Sequence, residues 1–282
     1  MKTFEAVLRI LSAALVALAL AMPAVADDLH PFEGPKPIAV MMTTNPWLMV
    51  IGSDTPNFVL YEDGQVVYLK VRPDKTRVYM TKRMEPGDMK AFKARLAALV
   101  PGVAPKKNID LRPGLSDQPL SRFYVDIDGK HLVTSVYGLA RKGLDGAGEP
   151  FDLADWLFGP IPDYLPVQVA SLNALLSGWS VAGATVWQPK FIEAMVWDYD
   201  HAPAPSIHWP SDWPGLTHPS TLKRSSGYSI FLPGAQLPRL TAFLKTQKER
   251  GAVEIDGKKC TVSVRYAFPG EKTWSAAFHE TE

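Results

Sequence analysis

Three Asp-Gly pairs, each lying between two short apolar runs, constrain the fold of this chain more than any other feature. The Asp-Gly dipeptide accepts the positive φ angles of a two-residue type I′ turn, which suits the twist of antiparallel strands. The pattern therefore predicts three β-hairpins. They are centred on Asp63-Gly64 (strands 58–62 and 65–69), Asp128-Gly129 (strands 123–127 and 130–136) and Asp256-Gly257 (strands 252–255 and 258–266).

Helical periodicity appears between these hairpins. Pro86 begins a helix in which Phe92 and Leu96 share one face, and further helices are predicted over 165–176 and 238–251. Other strands are predicted over 38–42, 48–51, 77–81, 191–197 and 228–232. Together these elements predict an α+β fold of mostly antiparallel sheets, with Asp-Gly hairpins and a few packed helices.

The order of elements suggests an internal duplication. The same four residues, Ile-Asp-Gly-Lys, occupy 127–130 and 255–258, and each copy follows a strand and then a helix. One interpretation is two related strand-helix-hairpin units. The alternative is coincidence, because Asp-Gly hairpins are common and helices often precede them.

Composition shifts along the chain suggest domain boundaries. We predict two α+β subdomains that share an interface, joined by a stretch rich in Gly and Asp; the alternative is one large domain. The predicted segments are a cleavable signal peptide (1–26), a flexible leader (27–37), the first subdomain (38–142), a linker with a packing helix (143–180) and the second subdomain (181–282).

The N-terminus has the pattern of a secretory signal peptide. Lys2 and Arg9 provide a weakly basic start, residues 10–22 are almost wholly apolar, and Ala24-Val25-Ala26 offers small residues for cleavage after Ala26. The apolar run is shorter than the roughly 20 residues that span a bilayer. We therefore expect a soluble periplasmic or secreted protein; the alternative is an uncleaved N-terminal anchor.

Charge and cysteine content limit the function classes. The chain has 30 basic and 29 acidic residues without a block of like charge, which disfavours a nucleic-acid partner. Cys260 is the single cysteine, so no intramolecular disulfide is possible. Cys260, Val262 and Val264 occupy every second position of a predicted strand and so share its apolar face. We therefore expect the Cys260 thiol to point into the core.

Glu193 is the one charged residue in the apolar run 191–197, which reads as a central strand covered on both faces. A buried carboxylate often has a raised pKa, so Glu193 is a candidate general acid or base. The alternative is an exposed position at the start of the strand, or an ion pair with a nearby Lys or Arg.

The stretch 187–218 collects the other candidate site residues. Five prolines predict that it is irregular and stiff. Asp198, Asp200 and His201 offer oxygen and nitrogen ligands, with His208 as a further metal-ligand candidate. Their spacing matches no established zinc or calcium pattern, and we predict no cofactor.

The tryptophans of the same stretch allow two interpretations. Trp197, Trp209 and Trp213 are candidate ligand-binding residues, because flat indole rings stack on sugars. The alternative is packing, since Trp beside Pro commonly fixes an irregular loop to a domain surface.

Two functional hypotheses follow. The first is a non-catalytic exported protein that binds a protein partner or an envelope ligand, and the lack of any nucleophile or phosphate-binding motif favours it. The alternative is a cell-envelope hydrolase of glycan or peptide that uses Glu193, Asp198, Asp200 and His201.

Overall fold

The computed structural model describes residues 30–48, 50, 52–100, 108–139 and 165–279. These residues form two mixed sheets and four helices, which confirms the predicted α+β fold. The predicted signal peptide (1–26) and residues 143–164 of the predicted linker lie outside the described residues. Among the residues that are described, no helix has the length and apolar character needed to cross a membrane.

The first sheet has eight strands. In chain order they are β1 (Pro37–Thr44), β2 (Phe58–Tyr61), β3 (Gln65–Val71), β4 (Arg77–Arg83), β5 (Asn108–Asp110), β6 (Leu120–Ile127), β7 (Lys130–Tyr137) and β8 (Thr185–Val186). Across the sheet the order is β5-β7-β6-β1-β2-β3-β4-β8. Only β5 and β7 pair in parallel. Of the predicted strand 48–51, residues 49 and 51 lie outside the described residues, and Leu48 and Val50 lie in the β1–β2 loop rather than in a strand.

The second sheet has six strands. They are β9 (Phe191–Asp198), β10 (Ala204–His208), β11 (Leu222–Arg224), β12 (Gly227–Pro233), β13 (Gly251–Ile255) and β14 (Lys258–Tyr266), in the order β10-β13-β14-β9-β12-β11. Strand β10 lies within the stretch predicted to be irregular. It contains Pro205, which is tolerated because β10 is at the sheet edge and pairs only with β13.

The Asp-Gly turns take two forms. At Asp128-Gly129 and Asp256-Gly257 both residues have positive φ, as a two-residue type I′ turn requires. At Asp63-Gly64 only Gly64 has positive φ, and the strands end at Tyr61 and begin again at Gln65. This hairpin therefore has a three-residue loop, in which the glycine supplies the left-handed residue.

Four helices cover the sheets: α1 (Pro86–Leu99), α2 (Val167–Ser177), α3 (Leu237–Leu244) and α4 (Glu271–His279). Pro86 at the first position and Asp88 in the first turn favour the start of α1. Helix α3 ends earlier than the predicted residue 251, because the N–H groups of Thr246 and Gln247 make tight turn bonds three residues back.

Both faces of the first sheet are buried. Phe92 and Leu96 of α1 and Leu172 of α2 pack on one face. Trp274 and Phe278 of α4 pack on the other, in a core that also contains Trp187 and Phe268. Burial on both faces explains why β1 reads as a continuous apolar run rather than an alternating one. Strand β8 and helix α4, although late in the chain, therefore belong to the first sheet and its packing.

The N-terminal approach to β1 contacts the second sheet. Phe32 packs edge-on against Phe231 of β12, with 5.5 Å between ring centroids. The Phe32 carbonyl also accepts the N–H of Gly270 at 2.7 Å. Within the described part of the predicted leader, residues 30–37, the chain is therefore anchored at Phe32.

The two hairpins that share the Ile-Asp-Gly-Lys sequence enter their sheets in opposite order. In the first sheet β6, the first strand of its hairpin, pairs with the central β1. In the second sheet it is β14, the second strand, that pairs with the central β9. The duplication stays a prediction, since the two units share the order of elements but not this pairing.

Candidate functional site

Glu193 lies in β9 and is fully buried, and three side chains donate hydrogen bonds to its carboxylate. Arg265 of β14 donates its Nε–H to Glu193 Oε2 at 2.7 Å. Arg224 donates to Oε1 at 2.6 Å, and the Ser229 hydroxyl donates to the same oxygen. Arg265 also pairs with the buried Glu271 and donates to the carbonyl oxygen of Asp54 in the β1–β2 loop. The cluster therefore connects the two sheets.

The ion pairs set the protonation of Glu193. Burial alone would raise the pKa of its carboxyl, but the charges of Arg265 and Arg224 outweigh burial and hold the pKa below its usual value. The raised pKa expected of a buried carboxylate is not found at Glu193. Its carboxylate stays ionised and fully bonded, and this is the ion-pair alternative that the sequence left open.

The other predicted polar residues do not join Glu193. Successive side chains of a strand point to opposite faces, so Glu193 and Asp198 lie on opposite faces of the second sheet, roughly 16 Å apart along β9. Asp198, Asp200 and His201 are exposed at the end of that strand. These four residues therefore do not form one catalytic cluster.

The candidate metal ligands also remain apart. The His208 side chain is 80% exposed, and its Nδ1 lies 3.8 Å from a Glu254 carboxylate oxygen. The described ranges contain no group of three or more His, Cys, Asp or Glu side chains that could hold a metal ion. Asp200, His201 and His208 are thus surface residues in this structure.

Two of the three candidate tryptophans belong to the core of the second sheet. Trp209 and Trp213 are buried and pack edge-on with 4.9 Å between ring centroids. The Trp209 indole N–H donates to the Pro214 carbonyl at 3.0 Å, which fixes the loop. Neither ring presents a face to solvent on which a sugar could stack. Trp197 is half-buried beside Gly227.

Cys260 fills the inward position that the sequence predicts. The side chain is fully buried in the core of the second sheet, and the thiol is unpaired. Burial raises the pKa of the Cys260 thiol to about 11. A buried, protonated thiol is a packing group rather than a nucleophile.

A concave site lies elsewhere in the described part of the chain, between α1, strands β3 and β4, and the segment that follows α2. It is a cavity of about 270 Å³. Its apolar wall comes from Val66, Met84, Phe92, Trp179 and Val181, and its charged rim from Lys82, Glu85, Asp88 and Arg95. We refer to it below as the α1 cavity.

Phe92 and Trp179 form the aromatic wall of the α1 cavity. Their ring centroids lie 4.6 Å apart at an interplanar angle of 69°. The Trp179 indole N–H is shielded from solvent and has no hydrogen-bond partner among the described residues. The ring therefore offers carbon surface, rather than its N–H, to the cavity.

The rim charges of the α1 cavity are mostly unpaired. Lys82 donates to the carbonyl oxygen of Ala182 at 2.8 Å, and this bond joins β4 to the segment that carries Trp179. The side chains of Glu85, Asp88 and Arg95 make no hydrogen bond or ion pair with another residue of the described part of the chain. Charges of both signs are thus available around an apolar floor.

A second cavity, of about 170 Å³, lies beside the β1–β2 loop and has a polar lining. Its polar groups are largely engaged by the protein itself. Asn57 Oδ1 accepts the N–H of Thr43 at 2.8 Å, and the Tyr79 hydroxyl donates to the Pro56 carbonyl at 2.8 Å. Few groups remain there for a ligand, so the α1 cavity is the stronger candidate.

Comparisons with protein families, with characterised proteins and with solved structures found no match to this chain. The site is therefore assigned from the geometry of the chain alone.

The α1 cavity was not predicted from the sequence. Asp88, Phe92 and Arg95 follow one another at helical spacing, which places them on one face of α1. That pattern could have drawn attention to the helix face. The opposite wall could not have been found from the sequence, because Trp179 belongs to a different part of the chain.

Proposed function

We propose that this protein is a non-catalytic binding module that holds a small amphipathic ligand in the α1 cavity. The observation that carries the proposal is an apolar wall, centred on Phe92 and Trp179, surrounded by unpaired charges. Ligand sites are typically concave and mostly apolar, with a few polar groups that fix orientation. At about 270 Å³ the cavity suits one ring or one branched side chain.

No observation favours the alternative of an envelope hydrolase. Glycoside hydrolysis needs two carboxyl groups that face each other across the scissile bond. The charged carboxylate of Glu193 is held in ion pairs with two arginines, and Asp198 faces away from it on the other side of the sheet. A binding function requires no such pair.

Export is part of the proposal and rests on the sequence of residues 1–26. The apolar run and the Ala24-Val25-Ala26 site support transport to the periplasm or beyond, where the partner is an envelope ligand or a protein. N-terminal sequencing of the protein recovered from its producing cell tests this. We expect a first residue of Asp27, and an intact Met1 would contradict export by cleavage.

The binding proposal is tested with indole and phenethylamine as probes. A probe at about 100 times its dissociation constant stabilises the folded state by roughly 2.7 kcal/mol. We expect at least one probe to raise the unfolding midpoint and to give saturation-transfer NMR signals. If neither probe binds, the proposal is wrong.

A matched pair of variants locates the binding. Ala91 lines the α1 cavity from an exposed position on α1, so Ala91→Trp fills the cavity without opening the core. Ala94 is also exposed on the same helix and does not line the cavity. We expect Ala91→Trp to abolish probe binding and Ala94→Trp to preserve it. Equal binding by both variants would place the site elsewhere.

A further inference from the structure

The acidic and basic residues that α1 contributes to the rim of the α1 cavity lie at opposite ends, and this arrangement narrows the class of ligand that the cavity can bind. Asp88 and Arg95 are seven residues apart on α1, which puts them on the same face and about 10.5 Å apart along the axis. Phe92 lies between them on that face and is one of the cavity's walls. The order along the helix is therefore carboxylate, aromatic wall, guanidinium.

Glu85 strengthens the acidic end. It precedes α1, lines the same cavity and, like Asp88, makes no side-chain hydrogen bond or ion pair with another described residue. The positive end of a helix dipole amounts to about half an elementary charge. Two carboxylates outweigh it, so this end attracts a cation.

Arg95 supplies the opposite end. Its exposed guanidinium also has no partner in the described part of the chain. A guanidinium binds a carboxylate through two parallel N–H···O bonds, which gives orientation as well as attraction. This end therefore favours a carboxylate.

We infer that the ligand is a short free peptide of about three residues, with an apolar side chain at its middle position. An extended chain spans at most 3.3–3.6 Å per residue, so the charged ends of a tripeptide are separated by about 10 Å. This matches the distance between Asp88 and Arg95 along α1. The peptide ammonium pairs with Asp88 and Glu85, its carboxylate pairs with Arg95, and its middle side chain contacts Phe92 and Trp179.

This inference rests on the proposed binding function, and it adds the class of ligand. The binding function and the ligand class can be tested separately. The aromatic wall would hold any apolar group, whereas a peptide with both termini free satisfies both charged ends and its capped forms do not. Isothermal titration of the full-length chain with Ala-Leu-Ala and its capped forms separates them. The capped forms are N-acetyl-Ala-Leu-Ala, Ala-Leu-Ala-amide and the doubly capped peptide.

We expect Ala-Leu-Ala to bind at least about tenfold more tightly than the doubly capped peptide. Arg95→Gln should weaken Ala-Leu-Ala about tenfold and leave the affinity of Ala-Leu-Ala-amide unchanged. Asp88→Asn should weaken Ala-Leu-Ala and leave that of N-acetyl-Ala-Leu-Ala nearly unchanged. Both substitutions are at exposed positions, so the fold is retained.

Lys90→Gln is the matched control. Lys90 is exposed on the same helix, carries the same charge as Arg95 and does not line the cavity. If Lys90→Gln weakens Ala-Leu-Ala as much as Arg95→Gln does, the effect is one of overall charge and the inference is wrong. Equal affinity for the free and doubly capped peptides overturns the peptide inference and leaves the binding function in place. If no peptide binds while indole or phenethylamine still does, the peptide inference is again overturned and the binding function remains. If neither the peptides nor the two probes bind, both proposals are wrong.

Discussion

Arg265 Nε donates to Glu193 Oε2 at 2.7 Å across the directly paired strands β14 and β9, with both side chains almost fully excluded from solvent. The other two guanidinium nitrogens of Arg265 have different partners. Nη2 pairs with the Glu271 carboxylate, and Nη1 donates to the Asp54 carbonyl in the β1–β2 loop. One arginine therefore holds together the second sheet, the start of α4 and a loop of the first sheet.

Removal of the arginine is expected to destabilise the fold strongly. Arg265→Leu leaves two buried carboxylates without their shared partner, and the loss of one member of a buried pair typically costs about 3–5 kcal/mol. Arg83→Leu is the control, since the Arg83–Asp63 pair is 62% and 32% exposed. The unfolding free energy of Arg83→Leu should fall by less than about 1 kcal/mol. Urea unfolding measures both, and equal losses would contradict a special role for Arg265.

The same cluster predicts a dependence of stability on pH. The pKa of Glu193 is lower in the folded chain than in the unfolded chain, because arginines stabilise its charged form. Its contribution to stability is therefore complete above the unfolded pKa and is lost as the pH falls through the folded value. The difference in unfolding free energy between the natural chain and Glu193→Gln should shrink as the pH falls below about 5. A difference that grows on acidification would contradict this.

The Asp-Gly turns give a test that involves only the backbone. Gly129 has a φ of 75°, and a Cβ there would meet nothing within 4 Å, so Gly129→Ala adds strain without a clash. We expect Gly129→Ala to lower the unfolding free energy by about 1–2 kcal/mol. Gly87, in the first turn of α1, also has open space around it but no positive φ. Gly87→Ala should instead stabilise by up to about 1 kcal/mol. Thermal unfolding of both variants compares the signs, and equal signs would contradict the turn assignment.

Cys260 should be nearly inert in the folded protein. Its thiol is buried, and its pKa is raised to about 11, so little thiolate is present at neutral pH. Labelling with a disulfide reagent at pH 8 should be slower than in the urea-unfolded chain by roughly two orders of magnitude. Labelling at equal rates would show that the thiol is accessible.

Elements governed by neighbours in sequence could be predicted. The Asp-Gly turns at 128–129 and 256–257, the helix that begins at Pro86 and the buried strand around Glu193 all follow from patterns within a dozen residues. The short edge strands β5, β8 and β11 could not be predicted, because strands of two or three residues carry no periodicity. Helix α4 was missed although Trp274 and Phe278 have helical spacing, since nine residues give a weak signal.

The sequence by itself determined the α+β class, the hairpin turns and the inward position of Cys260, because turn chemistry and periodicity act locally. Only the tertiary structure decided what surrounds Glu193 and where a ligand could bind. The charge of Glu193 is balanced by an arginine 72 residues away, and the bond that joins β4 to the segment carrying Trp179 runs from Lys82 to a carbonyl 100 residues away. These distant contacts depend on how the sheets and helices pack against one another, and that packing cannot be predicted from local patterns in the sequence.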